Sequence, residues 1–289
     1  MKVMDEQTFI REEMLGILLE KWKNNGDCMS AEKFNKFIDY KLRMQEFQDR
    51  LIRRICMYEN IVSKRVLDAG SGEGGLVVAL NLRGCMAAGA DIKEDNIRIS
   101  KLRARLEGLP ENIFIHCDAS GLPFEDGFLD MVIMNEVLEH VADVQATMKE
   151  VARVLKEGGL FFARVPNALW PFEGHVNLWF PHWLPSPLRR SYVRVFRPRK
   201  GYESCFLDDI RYHDHRGWKR EVAPFFRQML SNAVLYENLM EGLISGLMGR
   251  PVAGRQGLFR RCASRGLDLI RESSVMDVLS PTTYLVARK

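Results

Sequence analysis

The chain has 289 residues, 42 Lys and Arg against 38 Asp and Glu for a formal net charge of +4, and 46% hydrophobic residues. These are the values of an ordinary soluble globular chain, and they exclude a disordered, collagen-like or disulfide-framework protein. No 18-residue run lacks a charge, which excludes a spanning helix, and the charged start MKVMDEQTFIREEML has no apolar signal core; six scattered cysteines without a CxxC pair fit a reduced, cytoplasmic chain.

Residues 1–62 read as two helices, with Phe34, Phe37, Ile38, Leu42, Leu51, Ile52 and Ile55 at three- and four-residue steps and Ser30 as an N-cap. Arg65–Ala69 is a short strand that runs into a glycine cluster, and Gly75–Arg83 is helical. Met86–Asp91 is a second strand, Lys93–Glu107 a helix, and Asn112–Cys117 and Phe128–Met134 further strands. Asp143–Lys156 is helical and Gly159–Val165 is again a strand. This alternation predicts an α/β, doubly wound, parallel sheet. The pattern breaks at residue 168. Residues 168–212 are rich in aromatics, Pro and Arg; a helix is expected at Lys219–Met229, a strand at Ala233–Leu239, further helices over 241–278 and a last strand at Thr283–Ala287.

The segment VLDAGSGEGG joins a strand to a helix through a turn in which Gly70, Gly72 and Gly75 satisfy GxGxxG, and Asp91 lies 21 residues after Gly70. By itself this also fits a nicotinamide dinucleotide fold, with Asp91 on a ribose diol. Asp68 argues otherwise. A carboxylate at the strand tip repels a pyrophosphate but suits an ammonium group, and Asp118-Ala119 after the third strand can accept from an adenine amino group. An ammonium, a ribose diol and an adenine without phosphate describe S-adenosylmethionine. The absence of a Tyr-x-x-x-Lys pair also weighs against a nicotinamide oxidoreductase.

The sequence resembles the class I S-adenosylmethionine-dependent methyltransferases. VLDAGSGEGG matches their first motif, GADI their ribose-binding acidic residue, and HCDASGLPFEDGFLDMVIMNEVLEHV and MKEVARVLKEGGLFFARVPN the strands and helix that follow. The resemblance implies a Rossmann-like, seven-stranded, mostly parallel sheet with an antiparallel last strand, N-terminal helices and two insertions. It divides the chain into a helical cap (1–62), a cofactor-binding core (63–167), an aromatic and basic acceptor lid (168–212), a core helix and sixth strand (213–240), a basic helical insertion (241–279) and the final strand (280–289). It assigns cofactor contacts to Asp68, Gly70, Gly72 and Gly74 in the loop, to Asp91 and Ile92, to Asp118 and Ala119, and to Asn135. It also implies that Phe124, in GLPFEDG, is either a wall of the cofactor pocket or a loop anchor packed on the core.

Methyl transfer requires mainly that the acceptor be positioned and, for a hydroxyl, that its proton be removed. His140, His215 and His175 are the candidate bases, with His182, in the same aromatic stretch as His175, as an alternative to it. Glu136, Glu139 and His140 form E-x-x-E-H, in which Glu136 and His140 would share one face of a helix. This spacing resembles that of metal-dependent small-molecule and RNA 2′-O-methyltransferases, with His213 or His215 as a further ligand, but it also occurs without metal, and no metal is expected. The aromatic stretch from Trp170 to Trp183 predicts an acceptor pocket or a small satellite core.

Two runs lack acidic residues. One lies between Glu173 and Glu203 and carries Arg189, Arg190, Arg194, Arg197, Arg199 and Lys200; the other lies between Glu241 and Asp268. They fit either the solvated rim of packed helices or contact with an anionic membrane surface or anionic acceptor. The expected function is O-methylation of a small-molecule, glycan or lipid acceptor, with peripheral contact at the inner membrane face; nucleic acid is disfavoured because no RNA-binding module is evident.

Overall fold

The computed structural model describes residues 5–23, 30–196, 205–230 and 282–289. The chain opens with α1 (Glu6–Lys21), α2 (Ala31–Leu42), a 3-10 turn (Met44–Phe47) and α3 (Asp49–Cys56). Among the described residues these are three α-helices where the periodicity suggested two. The apolar stripe changes address between them: Ile38, Phe34 and Phe37 pack with α1, whereas Leu51, Ile52 and Ile55 pack under the sheet. Ser30 caps α2 as expected, its Oγ accepting from the Lys33 N–H at 3.4 Å.

The core then alternates β1 (Arg65–Ala69), α4 (Gly75–Asn81), β2 (Met86–Asp91), α5 (Glu94–Leu106), β3 (Phe114–His116), β4 (Leu129–Asn135), α6 (Val144–Val154) and β5 (Leu155–Pro166). A hairpin of β6 (Phe172–Glu173) and β7 (Leu178–Trp179) leads to α7 (Ser186–Phe196) and α8 (Cys205–Asp208). The chain returns through α9 (His215–Val222), β8 (Gln228–Leu230) and β9 (Thr282–Arg288). The helix expected to reach Met229 stops at Val222 because Pro224 has no N–H for the next turn. The expected strand at Ala233–Leu239, the helices over 241–278 and residues Arg197, Arg199 and Lys200 lie outside the described residues.

The seven-stranded sheet has the order β3-β2-β1-β4-β5-β9-β8. β9 is antiparallel to β5 and β8, and the pairings among β1 to β5 are parallel. Central strands are apolar on both faces because both are covered. In β4, Met131 and Ile133 face the layer that includes α3 and α4, whereas Val132 and Met134 face α6 and α9. The winding reverses between β1 and β4. At such a switch point the loops leaving the strands diverge and open a crevice at their carboxyl ends. Among the described residues no helix is long and apolar enough to cross a membrane.

Candidate functional site

The loop from β1 to α4 occupies one side of this crevice. Gly70 has φ +85° and a Cβ there would lie 2.4 Å from a Val137 methyl carbon, so the loop both turns left-handed and packs flush against the segment after β4. Gly74, at φ +79°, is the N-cap of α4, and a Cβ on it would meet Ser100 and Phe114 within 2.8 Å. Its requirement is therefore packing as well as loop shape.

Asp68 is buried beneath the loop. Its Oδ1 has no hydrogen-bond partner, and burial, with Asp91 nearby, pushes its carboxyl up to about 7. Asp91 is also buried, but well supplied. Its Oδ2 accepts from the Gly72 N–H at 2.8 Å, and its Oδ1 accepts from the Lys93 N–H at 2.8 Å and the Asn96 side chain at 2.9 Å. The ribose candidate thus braces the glycine loop directly. A buried carboxylate lacking a counter-charge beside a fixed carboxylate at the tip of β2 fits the ammonium and ribose of S-adenosylmethionine. Ile92 leaves 62% of its surface exposed beside Asp91, and its carbonyl bonds the His116 ring at 2.8 Å. Asp118 is exposed and its Oδ1 caps a turn by accepting from the Ser120 N–H and Oγ, both at 2.8 Å. Ala119 and Phe124 pack on the core, Phe124 stacked on Phe128 at 5.9 Å. Asn135 closes β4 with a buried, unpartnered Oδ1.

Sequence reasoning missed the support beneath the loop. Glu73, between Gly72 and Gly74, is buried and paired with Lys21 at 2.9 Å and Lys41 at 3.2 Å, and the Trp22 indole donates to it at 3.0 Å. Burial works against this charge, but the two ammonium groups hold the carboxyl below its usual range. Lys21 also bonds Asn96, the residue that donates to Asp91. α1 is therefore joined to the ribose carboxylate through side chains some 70 residues apart, a link no local pattern announces.

On the other side of the crevice, Glu136 to His140 form turns and not the helix expected from E-x-x-E-H. Glu136 sits at φ +58°, outside any helix, and its carboxylate lies 3.1 Å from Arg164. The face it was to share with His140 does not exist. Glu139 instead is fully buried, with both oxygens unpartnered among the described residues. Burial, and then Glu136, raise its carboxyl well above the usual range. His140 lies beside it, Nε2 3.9 Å from Oε1.

The third member comes from the hairpin. His175 meets His140 edge to face, ring centroids 5.3 Å apart, and ligand atoms of Glu139, His140 and His175 all lie within 4.8 Å of one another. Among the described residues this set, and not one including His213 or His215, could hold a divalent cation. Behind His175, buried Glu173 accepts from its Nδ1 at 2.6 Å, from the Val176 N–H at 2.8 Å and from the Tyr212 hydroxyl at 3.1 Å. The Glu173 hydrogen bond raises the His175 pKa, whereas burial and then His175 lower that of His140. His215 opens α9, outside this group, and His213 packs against Trp218 at 5.0 Å. His182 stacks on Tyr212 at 5.0 Å and bonds the Ala168 carbonyl at 3.2 Å, a structural position.

The aromatic segment divides into two populations. Val176 and Leu178 join Val193, Leu207 and Ile210 in a satellite core. Trp179, Trp183, Leu188, Val195 and Phe196 each leave about half or more of their surface in water. The arginines divide in the same way. Arg189 is largely buried and, with Arg190, is held by Asp208, at 3.3 and 2.7 Å, while Arg194 makes no ion pair among the described residues. The basic run is thus partly neutralised by an acid that lies beyond it in sequence.

A family of methyltransferase domains matches residues 67–163. A ubiquinone biosynthesis O-methyltransferase from Rhizobium johnstonii is 32% identical over 208 residues, covering 68% of this chain and 80% of that protein. One from Bartonella tribocorum is 27% identical over 191 residues, covering 64% and 74%. Among solved structures, phosphoethanolamine N-methyltransferase 2 of Haemonchus contortus, in complex with phosphomonomethylethanolamine and S-adenosylhomocysteine, is 15% identical with a TM-score of 0.50, covering 84% of this chain and 52% of that one, a likeness of fold.

Proposed function

The chain belongs to the class I S-adenosylmethionine-dependent methyltransferases, and on that footing we propose that it methylates a hydroxyl oxygen of a small, lipid-soluble acceptor of the ubiquinone-precursor kind by direct in-line transfer. When bound, S-adenosylmethionine supplies a methyl group already activated on a sulfonium. Asp68 and Asp91 hold the donor through its ammonium and ribose. His140 and His175 take the hydroxyl proton, ahead of His215, which lies outside their group. The observation that carries this reading is the contact of Val137 with Gly70, which sets the Glu139–His140–His175 group beside the cofactor loop. A second reading has the same group hold a divalent cation that orients the hydroxyl, favoured by the 4.8 Å grouping of three ligand atoms.

The test is an assay of O-methyl product from a prenylated dihydroxybenzene, with and without EDTA. Product is expected, and Asp91→Ala should weaken S-adenosylhomocysteine binding, read by calorimetry, at least about 100-fold as the loop loses its brace and the ribose its acceptor. Activity unchanged in EDTA selects the metal-free reading; activity lost in EDTA and restored by a divalent ion selects the second. Methyl appearing only on nitrogen or carbon acceptors would sink both.

The exposed aromatic and aliphatic side chains around α7, flanked by Arg190 and Arg194, support peripheral contact with an anionic bilayer, where a lipid-soluble acceptor resides. Trp183→Ser, Leu188→Ser and Phe196→Ser together should lower cosedimentation with phosphatidylglycerol vesicles at least about tenfold. Cofactor affinity should stay as in the parent. Equal cosedimentation of parent and triple variant would remove the membrane from the account.

A further inference from the structure

Glu173 has no part in any motif, yet it is one of the most fully used carboxylates in the chain. It is buried in β6 and accepts three hydrogen bonds, from the His175 ring, the Val176 backbone and the Tyr212 hydroxyl. The Val176 bond closes the turn of the hairpin, and the Tyr212 bond fastens the hairpin to the segment before α9. The third bond differs, because its donor is a side chain that also belongs to the Glu139–His140–His175 group.

A histidine ring has two nitrogens, and the partner of one decides what the other can do. Here Nδ1 is 2.6 Å from Glu173, so the hydrogen resides on Nδ1 and the ring plane is fixed. Nε2 is left as the lone-pair nitrogen of a ring that meets His140 edge to face. Without the carboxylate an imidazole would rotate and exchange tautomers freely. The groups around His175 are Glu173 on its own hairpin, Tyr212 before α9, and His140, Glu139 and Glu136 after β4.

We propose that Glu173 is a positioning residue for methyl transfer: it holds His175 in the Nδ1–H tautomer with Nε2 aimed at the acceptor oxygen. This deepens the O-methylation reading and rests on it for the identity of the acceptor. It is indifferent to whether Nε2 takes up a proton or contributes to holding a cation, since both need the same lone pair in the same direction.

The experiment compares the parent with Glu173→Gln, Glu173→Ala and Tyr212→Phe. Nitrogen-15 NMR of the histidine side chains reads the His175 tautomer, and steady-state kinetics read kcat and KM. The parent should show the Nδ1–H form. Glu173→Ala should mix the tautomers and lower kcat about 10- to 100-fold, the range seen when such outer carboxylates are removed. S-adenosylhomocysteine affinity should not move. Glu173→Gln keeps an acceptor oxygen and should recover part of the kcat and most of the tautomer. Tyr212→Phe loses only a hairpin fastening, so it should lower stability while keeping the tautomer and kcat.

The proposal is overturned if the parent shows the Nε2–H tautomer, if Glu173→Ala keeps both tautomer and kcat while only its melting temperature drops, or if Tyr212→Phe shifts the tautomer as much as Glu173→Ala does. If Glu173→Ala does not fold, the parent spectrum and the Glu173→Gln and Tyr212→Phe pair still decide. The NMR result needs no acceptor. A failed O-methylation assay beside an Nδ1–H parent spectrum therefore counts against the functional reading and leaves the positioning geometry standing.

Discussion

Asp68→Asn should make the ligand-free protein more stable and at the same time nearly unable to bind its cofactor. The buried carboxyl has its pKa pushed up to about 7 by burial and by Asp91, and its Oδ1 has no partner. The folded chain therefore keeps this proton up to about pH 7, whereas an unfolded aspartate releases it near 3.9. The group's contribution to stability is complete below about pH 4 and is lost as pH rises through 7. At pH 8 the buried charge opposes folding by roughly 2–4 kcal/mol at about 1.4 kcal/mol per pKa unit. Asn removes the charge but leaves an amide to satisfy, so a net gain of about 1–3 kcal/mol is expected, visible as a melting temperature several degrees higher at pH 8 and a smaller or absent gain at pH 5. Binding reverses the sign. The cofactor's ammonium supplies the missing counter-charge, and S-adenosylhomocysteine affinity should fall at least about 100-fold in the variant. In the parent, affinity should rise with pH up to about 7 and then level, with a proton released on binding below that pH. Calorimetry in two buffers of different ionisation enthalpy measures that proton. A variant with parental affinity would show that the ammonium lies elsewhere.

Arg103→Met should be the most destabilising of the substitutions considered. Arg103 is 1% exposed and donates to four acceptors: the Glu73 carbonyl at 2.8 Å, the Leu42 carbonyl at 2.9 Å, the Gln45 side chain at 2.7 Å and the Lys41 carbonyl at 2.6 Å. Burial draws its pKa down to about 10, so the charge persists at neutral pH, countered by Glu73. The change strands three carbonyls and unbalances Glu73 against Lys21 and Lys41. Breaking a buried charged network of this kind costs about 3–5 kcal/mol, to be read as the shift of a urea unfolding midpoint. Arg103→Lys should recover little, since one ammonium cannot span acceptors set out for a planar fork. Cofactor affinity should drop too, because Glu73 lies within the glycine loop. A loss below about 1 kcal/mol would mean that the N-terminal helices are not seated on that loop.

The core was legible because its signals are local. Arg65–Ala69 and Leu129–Asn135 are apolar on both faces, and the glycines and acids that follow them are adjacent in sequence. Boundaries were less so. Leu155 continues the apolar stripe of α6, but it opens β5 opposite Leu129, and burial alone does not distinguish the two. The acceptor side was half legible. The histidines were visible, but the pairing of His140 with His175 spans 35 positions and depends on a hairpin. The one local spacing available, Glu136 to His140, suggested a helix because periodicity does not report a left-handed φ at Glu136. Glu173 carried no such signal, because β6 ends at it and His175 sits in the hairpin turn, where strand alternation does not hold. The charge asymmetry of the basic run was real, but its neutralising partner, Asp208, came from outside the window.

The position of β9 has a consequence for how this chain is made. Thr282–Arg288 does not lie at the border of the sheet but between β5 and β8, bonded to both. β5 and β9 are contiguous in space but more than 110 positions apart in the chain. The parallel half can form from neighbours close in sequence, whereas this closing pair must be found across a long stretch of sequence, the slow kind of contact. Until Thr282–Arg288 has left the ribosome, one long flank of β5 stays unpaired, with Phe161, Phe162 and Val165 beside it. An unpaired strand edge of that kind invites aggregation, which makes Thr282–Arg288 a determinant of yield far from the chemistry it helps to seat.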